Sequence, residues 1–298
     1  PVILAGAKTD WGSYGASGGL GPTLRVGRDF IVANGQSVFW LYTLARWACL
    51  PFSLLGAYIC LRWARELFGD VAGILALTLW CFSPNVIAHG QLITPDIGAT
   101  ALGITATYIF WHWLKTVSWW LALAAGVALG MMELTKMTWL VAFLVWPMLW
   151  IIWHWTSRHR RSWGVWFREG RQMAMILVLG LYVMNLGYGF EGSFRKLGSY
   201  TFVSRALRGD REAGSPASKS ANRFSATWPG EIPVPLPANY VRGIDRQRLD
   251  FERRLWSYLR GEWRKGGWWY YYLYALAVKV PLGTWMLMSL ALVSRLCW

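Results

Sequence analysis

Up to seven stretches of this chain run for about 14 to 26 residues with almost no charged side chain: Leu41–Leu61, Val71–Ala88, Ile97–Leu114, Trp119–Met132, Met137–Trp155, Met173–Phe190 and Trp268–Val293. A bilayer core about 30 Å thick needs roughly 20 apolar residues in helix. A soluble helix would carry polar residues at helical spacing within each run. These runs do not, so the expected class is an all-α polytopic membrane protein. Small residues recur inside them, as at Ala122, Ala124, Ala125, Gly126, Ala128 and Gly130, where helix backbones can approach closely. The last run is interrupted by Lys279-Val280-Pro281.

Composition agrees. Charged residues make up only 15% of the 298, against about 25% in soluble domains. A hydrophobic share of 55% excludes disorder, and four cysteines are too few for a disulfide scaffold. They lie in or beside apolar runs, as small fillers would. The four histidines (His89, His112, His154 and His159) have no metal-ligand spacing.

The net charge of +15 would suggest nucleic acid until it is placed along the chain. Alternate connections carry Arg62, Arg65, Lys115, Arg158, Arg160, Arg161, Arg168, Arg171 and Arg295, against Glu66, Asp70 and Glu169. The short connections opposite, around 89–96 and 133–136, carry one positive residue, Lys136. The positive-inside rule makes the first side cytoplasmic. The long segments Pro1–Gln36 and Glu191–Gly267 then lie outside; the second holds 15 basic and 8 acidic residues, but loops of that length do not vote on orientation. Basic residues divided between two sides of a membrane do not make a nucleic-acid surface.

The expected organisation is residues 1–36 as the remainder of a first extracytoplasmic loop, 37–190 as a transmembrane core of about six helices, 191–267 as an extracytoplasmic loop, and 268–298 as a further membrane helix. Within the loop, 205–239 is broken by Gly214-Ser-Pro216 and by Pro229 to Pro237, and reads as its most flexible part. Gly243–Gly261 reads as a charged amphipathic helix lying on the membrane. Tryptophan, at 23 positions, gathers at run ends such as Trp119-Trp120 and Trp268-Trp269, where rings anchor at the headgroup level. Extracytoplasmic rings among them can also stack on sugars.

Ionisable groups at the ends of apolar runs are costly and mark function. On the extracytoplasmic side these are His89, Gln91, Asp96, Glu133, Lys136 and Lys279, with Arg46 from the opening run. Each has a bland alternative: snorkelling for Arg46, a local i,i+3 pair for Glu133 and Lys136, a helix cap for Asp96. Intramembrane charge also fits a transporter or channel, and the long loop fits an assembly subunit. Transporters often carry paired broken helices in two repeats, and no such symmetry is visible in this sequence.

Several motifs resemble membrane glycosyltransferases of family 39, a group that includes the protein O-mannosyltransferases and the lipid A aminoarabinose transferases. They are Arg62-Trp-Ala-Arg-Glu-Leu-Phe-Gly69, Ala72-Gly73, Ser83-Pro84, and His89 through Thr94-Pro-Asp96. Gly130-Met-Met-Glu-Leu-Thr-Lys136 and Tyr270 through Lys279-Val-Pro281 also fit. The resemblance covers about residues 40–155, and 268–285 more loosely. It implies a GT-C-like helix bundle with one long extracytoplasmic loop, set in the bacterial inner (plasma) membrane with its active site outside. A sugar would pass from a polyprenyl-phosphate donor, held among membrane lipids, to a hydroxyl on a protein, lipid or glycan acceptor. A carboxylate would act on that hydroxyl while basic residues take the charge of the leaving phosphate. Asp96 matches the family's second-loop acidic position, for the acceptor or a divalent metal. Arg46, Lys136 and Lys279 would contact phosphate, and His89, Gln91 and Glu133 would line the substrate. The principal acidic residue of such enzymes follows a first span. Neither Asp10 nor Asp29 stands in that motif, so it is expected upstream of Pro1.

Overall fold

The computed structural model describes residues 1–9, 22–156, 163–209 and 222–296. Asp10, Arg158, His159, Arg160, Arg161, Gly214–Pro216 and Cys297 lie outside them, as does the side chain of Arg295. The chain is mostly helical, and its paired strands among the described residues form one two-stranded hairpin. It divides into two compact units, Pro1–Ala101 and Leu102–Trp298.

In the first unit, α1 (Pro22–Asn34) places a helix in the stretch read as loop. It is followed by α2 (Val38–Trp47), α3 (Leu50–Phe68), α4 (Asp70–Cys81), α5 (Pro84–Gly90) and the start of α6 (Pro95–Lys115). The Arg62–Gly69 motif proves to be a helix–turn–helix joint. Gly69 sits at φ +89°, which L-residues rarely adopt, so α3 stops there and α4 starts at once. Arg65 and Asp70 pair across the joint, and Arg62 pairs with Glu66 one turn back at 3.4 Å. The returning helix packs close because Gly73 lies against Leu61 and Arg65. The Trp80 indole fills the space over Gly56 and donates to the Ser53 carbonyl at 3.1 Å. Ser83-Pro84 then bends α5 away from α4 by 57°.

In the second unit, α7 (Trp119–Glu133) and α9 (Trp163–Gly187) pack face to face. Gly126, Gly130 and Gly180 are the notches that permit it: the Gly130 Cα faces Val183 and the Gly180 carbonyl, and Gly180 faces Leu129. The core also takes Phe110 and Trp113 from α6 and Trp146 from α8 (Ala142–Thr156), with Phe110 and Trp146 stacked at 4.3 Å. Trp113 donates to Gln172 at 2.8 Å, so the buried indole N–H is satisfied.

The segment 191–267 folds around its own small core of Tyr200, Phe202, Ala238 and Val241. It carries α10 (Arg205–Arg208), α11 (Ala238–Glu252), β1 (Trp256–Leu259) and β2 (Glu262–Lys265). In the described part of 205–239, Asn222 donates to the Leu197 and Tyr200 carbonyls, and Pro233 bridges to Lys196. The expected amphipathic helix at Gly243–Gly261 is displaced. The helix begins earlier, after Pro237, and ends at Glu252; a hairpin replaces its second half. Arg260 and Gly261 both have positive φ, as a tight hairpin turn requires, and that turn overrides the helical charge pattern.

Finally, α12 (Tyr271–Lys279) and α13 (Leu282–Leu296) are bent by 98° where Val280 is extended before Pro281. Among the described residues, three helical stretches are long and apolar enough to cross a membrane: Leu24–Phe68, Met137–Thr156 and Trp163–Gly187. The number rises to five if each bent pair is one span. With 15 residues, α7 is shorter than a bilayer core.

Candidate active site

In the first unit, the polar break between α5 and α6 brings two of the expected residues together. His89 closes α5, and Asp96 lies in the first turn of α6, where the helix dipole favours a carboxylate. The chain between them is short because Pro95 restarts the helix at its first position. His89 Nδ1 and Asp96 Oδ2 are 3.6 Å apart, and both side chains are about two-fifths exposed. That spacing suits an ion pair and exceeds a direct hydrogen bond. His89 Nδ1 itself is buried and has no hydrogen-bond partner. Gly90 lies against Ser53 and fixes the end of α5 on α3. Gln91 follows immediately and is exposed; Arg46 is exposed in the last turn of α2.

In the second unit, Glu133 ends α7 and Lys136 precedes a short 3-10 turn, Met137–Val141, that leads into α8. Lys136 is exposed, whereas Glu133 is 1% exposed. The Glu133 carboxylate accepts a hydrogen bond from the Tyr240 hydroxyl at 2.8 Å. Its other oxygen is buried and has no hydrogen-bond partner. Tyr240 comes from α11, which packs on the 3-10 turn through Gly243 and Met137. Burial, and secondarily the Glu133 charge and hydrogen bond, raise the Tyr240 pKa well above the ordinary phenol value. Lys279 is exposed at the end of α12, on a different element from Glu133 and Lys136. Among the described residues no three His, Cys, Asp or Glu side chains gather as metal ligands.

Three relationships escaped the sequence. Tyr240 is one of 13 tyrosines, and nothing local marks it as the partner of Glu133. Asp245 and Glu252 of α11 cap the chain entering α10: Asp245 accepts from Val203 and Ser204, and Glu252 accepts from Arg205 and Ala206. Glu169 reads from the sequence as a loop charge. It is buried in α9, accepts from Trp150 Nε1 at 3.0 Å, and lies 3.5 Å from His154 Nδ1. Glu169 follows six residues of helix and precedes Arg171, so charge pattern alone gave no sign of its burial.

Apolar helices of membrane length, closed by short polar turns that collect carboxylate, imidazole and ammonium groups, define an all-α integral membrane protein. Residues 39–184 match the family model of dolichyl-phosphate-mannose-protein mannosyltransferase, a match that supports a membrane glycosyltransferase family. The matched stretch contains Arg46, His89, Gln91, Asp96, Glu133 and Lys136; Lys279 lies beyond it. No curated protein and no solved structure matches the chain.

Proposed function

We propose that this glycosyltransferase moves a sugar from a polyprenyl-phosphate donor to a hydroxyl of an extracytoplasmic protein, lipid or glycan, in the bacterial plasma membrane. The observation that carries the reading is the His89–Asp96 pair at a half-exposed polar break within the matched stretch. In an inverting transfer the acceptor oxygen attacks the anomeric carbon as the bond to the carrier phosphate breaks. The hydroxyl proton passes to a carboxylate, and the carrier leaves as a phosphate. Asp96, with His89 beside it, hydrogen-bonds the acceptor hydroxyl and orients it, and Gln91 lines the same break. A divalent metal held by Asp96 would be a second way to organise the acceptor.

Arg46, Lys136 and Lys279 are assigned to the phosphate of the donor. A fixed ammonium or guanidinium lowers the energy of charge that develops on a leaving group. Their exposure leaves them accessible to a lipid headgroup. Glu133 enters as a positioning residue that holds Tyr240 and α11 on the turn bearing Lys136.

The test is Asp96→Asn in the full-length protein, assayed with a polyprenyl-phosphate sugar. Transfer should fall about 100-fold, the lower range for loss of a positioned acid–base group. Membrane insertion should be unaffected. Unchanged turnover removes Asp96 from the site.

A further inference from the structure

A cavity of about 700 Å³ lies between the end of α11, the β1–β2 hairpin and the start of α12, within the size range of small-molecule sites. Its wall is built by strand periodicity. Tyr258 stands opposite Trp263, and Trp256 is two residues from Tyr258, so all three side chains share one face of the hairpin. The Tyr258 and Trp263 rings lie 5.2 Å apart between centroids. Gln247, Asp250 and Arg254, from α11 and the residues after it, supply polar lining together with Ser257 of β1. Asp250 and Arg254 are its only charged groups, and they balance.

A belt of interfacial anchors spreads its rings along the headgroup layer. These rings instead line one open cavity together with an amide, a carboxylate and a guanidinium. A wholly apolar guest would bury those polar groups without partners. A phosphate would meet one cation already balanced by a carboxylate. A sugar ring satisfies both walls: its C–H face carries slight positive charge toward the negative faces of the aromatic rings, and its hydroxyls can donate to Asp250 and Gln247 or accept from Arg254.

We infer that this cavity binds a neutral pyranose of a glycan acceptor, as a carbohydrate subsite on the 191–267 segment. The acceptor role rests on the transferase reading above; the binding itself does not.

The full chain in detergent micelles would be probed by saturation-transfer NMR with mannotriose, maltotriose and chitotriose. At least one should receive saturation at its ring protons. Trp263→Ala and, as a milder change on an exposed helix position, Gln247→Leu should each weaken that binding at least about tenfold, the equivalent of ~1.4 kcal/mol. Trp120→Ala, at the exposed start of α7, should leave it unchanged. No saturation of any trisaccharide overturns the inference, as does equal binding by both cavity variants. Sugar transfer measured in parallel separates the two readings. A chain that transfers but binds none of the probes loses only the subsite. A chain that binds them but transfers nothing to any acceptor keeps the subsite and loses its acceptor role.

Discussion

The Tyr240 hydroxyl donates to the Glu133 carboxylate at 2.8 Å across 107 residues of sequence, and both side chains are about 1% exposed. Tyr240 is carried by α11 and Glu133 by the last turn of α7, so this bond fastens the long 191–267 segment to the helices. Tyr188, near the end of α9, lies edge-on to the Tyr240 ring at 6.1 Å. Tyr240→Phe keeps the ring and removes the donor. It leaves a buried carboxylate oxygen unpaired, at a cost of about 1–3 kcal/mol. Thermal unfolding in detergent should shift down, and hydrogen exchange in α11 should rise above that of α9. Because burial raises the Tyr240 pKa, its contribution is fully present below the ordinary phenol value near 10. It should disappear only as strongly alkaline pH passes through the folded-state value.

His89→Ala tests the partner of Asp96. If the imidazole orients the carboxylate, the variant should lose activity mainly as a weaker KM for the acceptor, with about a tenfold smaller kcat/KM. His89→Asn, which restores a donor near the same place, should recover part of it. The donor KM should stay near the wild-type value in both.

Gly130→Ala would put a Cβ 2.5 Å from that of Val183 and 2.7 Å from the Gly180 carbonyl. Backbone cannot yield as a flexible side chain does, so α7 and α9 must separate. Overpacking of this kind costs about 1–3 kcal/mol. Gly283→Ala, in α13 with open space around it, should instead be neutral or stabilising by up to ~1 kcal/mol. Comparing thermal unfolding of the two variants in one detergent isolates the helix contact.

The Glu252 carboxylate is held below its ordinary pKa, first by the Ala206 backbone N–H and then by that of Arg205, with Arg248 and Arg205 adding charge. A lowered pKa means the cap is in place above the unfolded carboxylate value. It should be lost as pH falls through the folded one. Exchange protection of the Ala206 amide, corrected for intrinsic rates, should therefore persist through the ordinary carboxylate range and drop only at more acid pH. In Glu252→Gln that pH step should disappear.

The orientation assigned by the basic residues is open to direct labelling. Arg260 sits at the hairpin turn. With Cys49, Cys60, Cys81 and Cys297 replaced by Ala, an Arg260→Cys variant should react with an impermeant thiol reagent in intact cells. Reaction only after permeabilisation would invert the topology.

Glycosyltransferase resemblance was legible in the sequence because its carriers are local. Arg62–Gly69 is one helix end and one turn, and a single glycine at positive φ makes the joint. The His89–Asp96 pair was legible for the same reason: seven residues and a proline-started helix leave little freedom. The hairpin was missed because 253–265 mixes aromatic and charged residues in a stretch that also reads as a charged helix. Arg260-Gly261 is a weaker turn signal than Asn-Gly.

The amino-acid sequence by itself determined that the chain must enter a membrane, since uncharged runs of such length have no other apolar solvent large enough. It also determined which short turns would hold the ionisable groups. Only the tertiary structure decided what those groups touch. Glu133 meets a tyrosine 107 residues away, Glu169 turns inward to Trp150, and the hairpin aromatics line a cavity. The physical reason is range. Hydrophobicity and turn chemistry act within a few residues, whereas a buried polar group takes its partner from whichever distant segment packing brings within 3 Å.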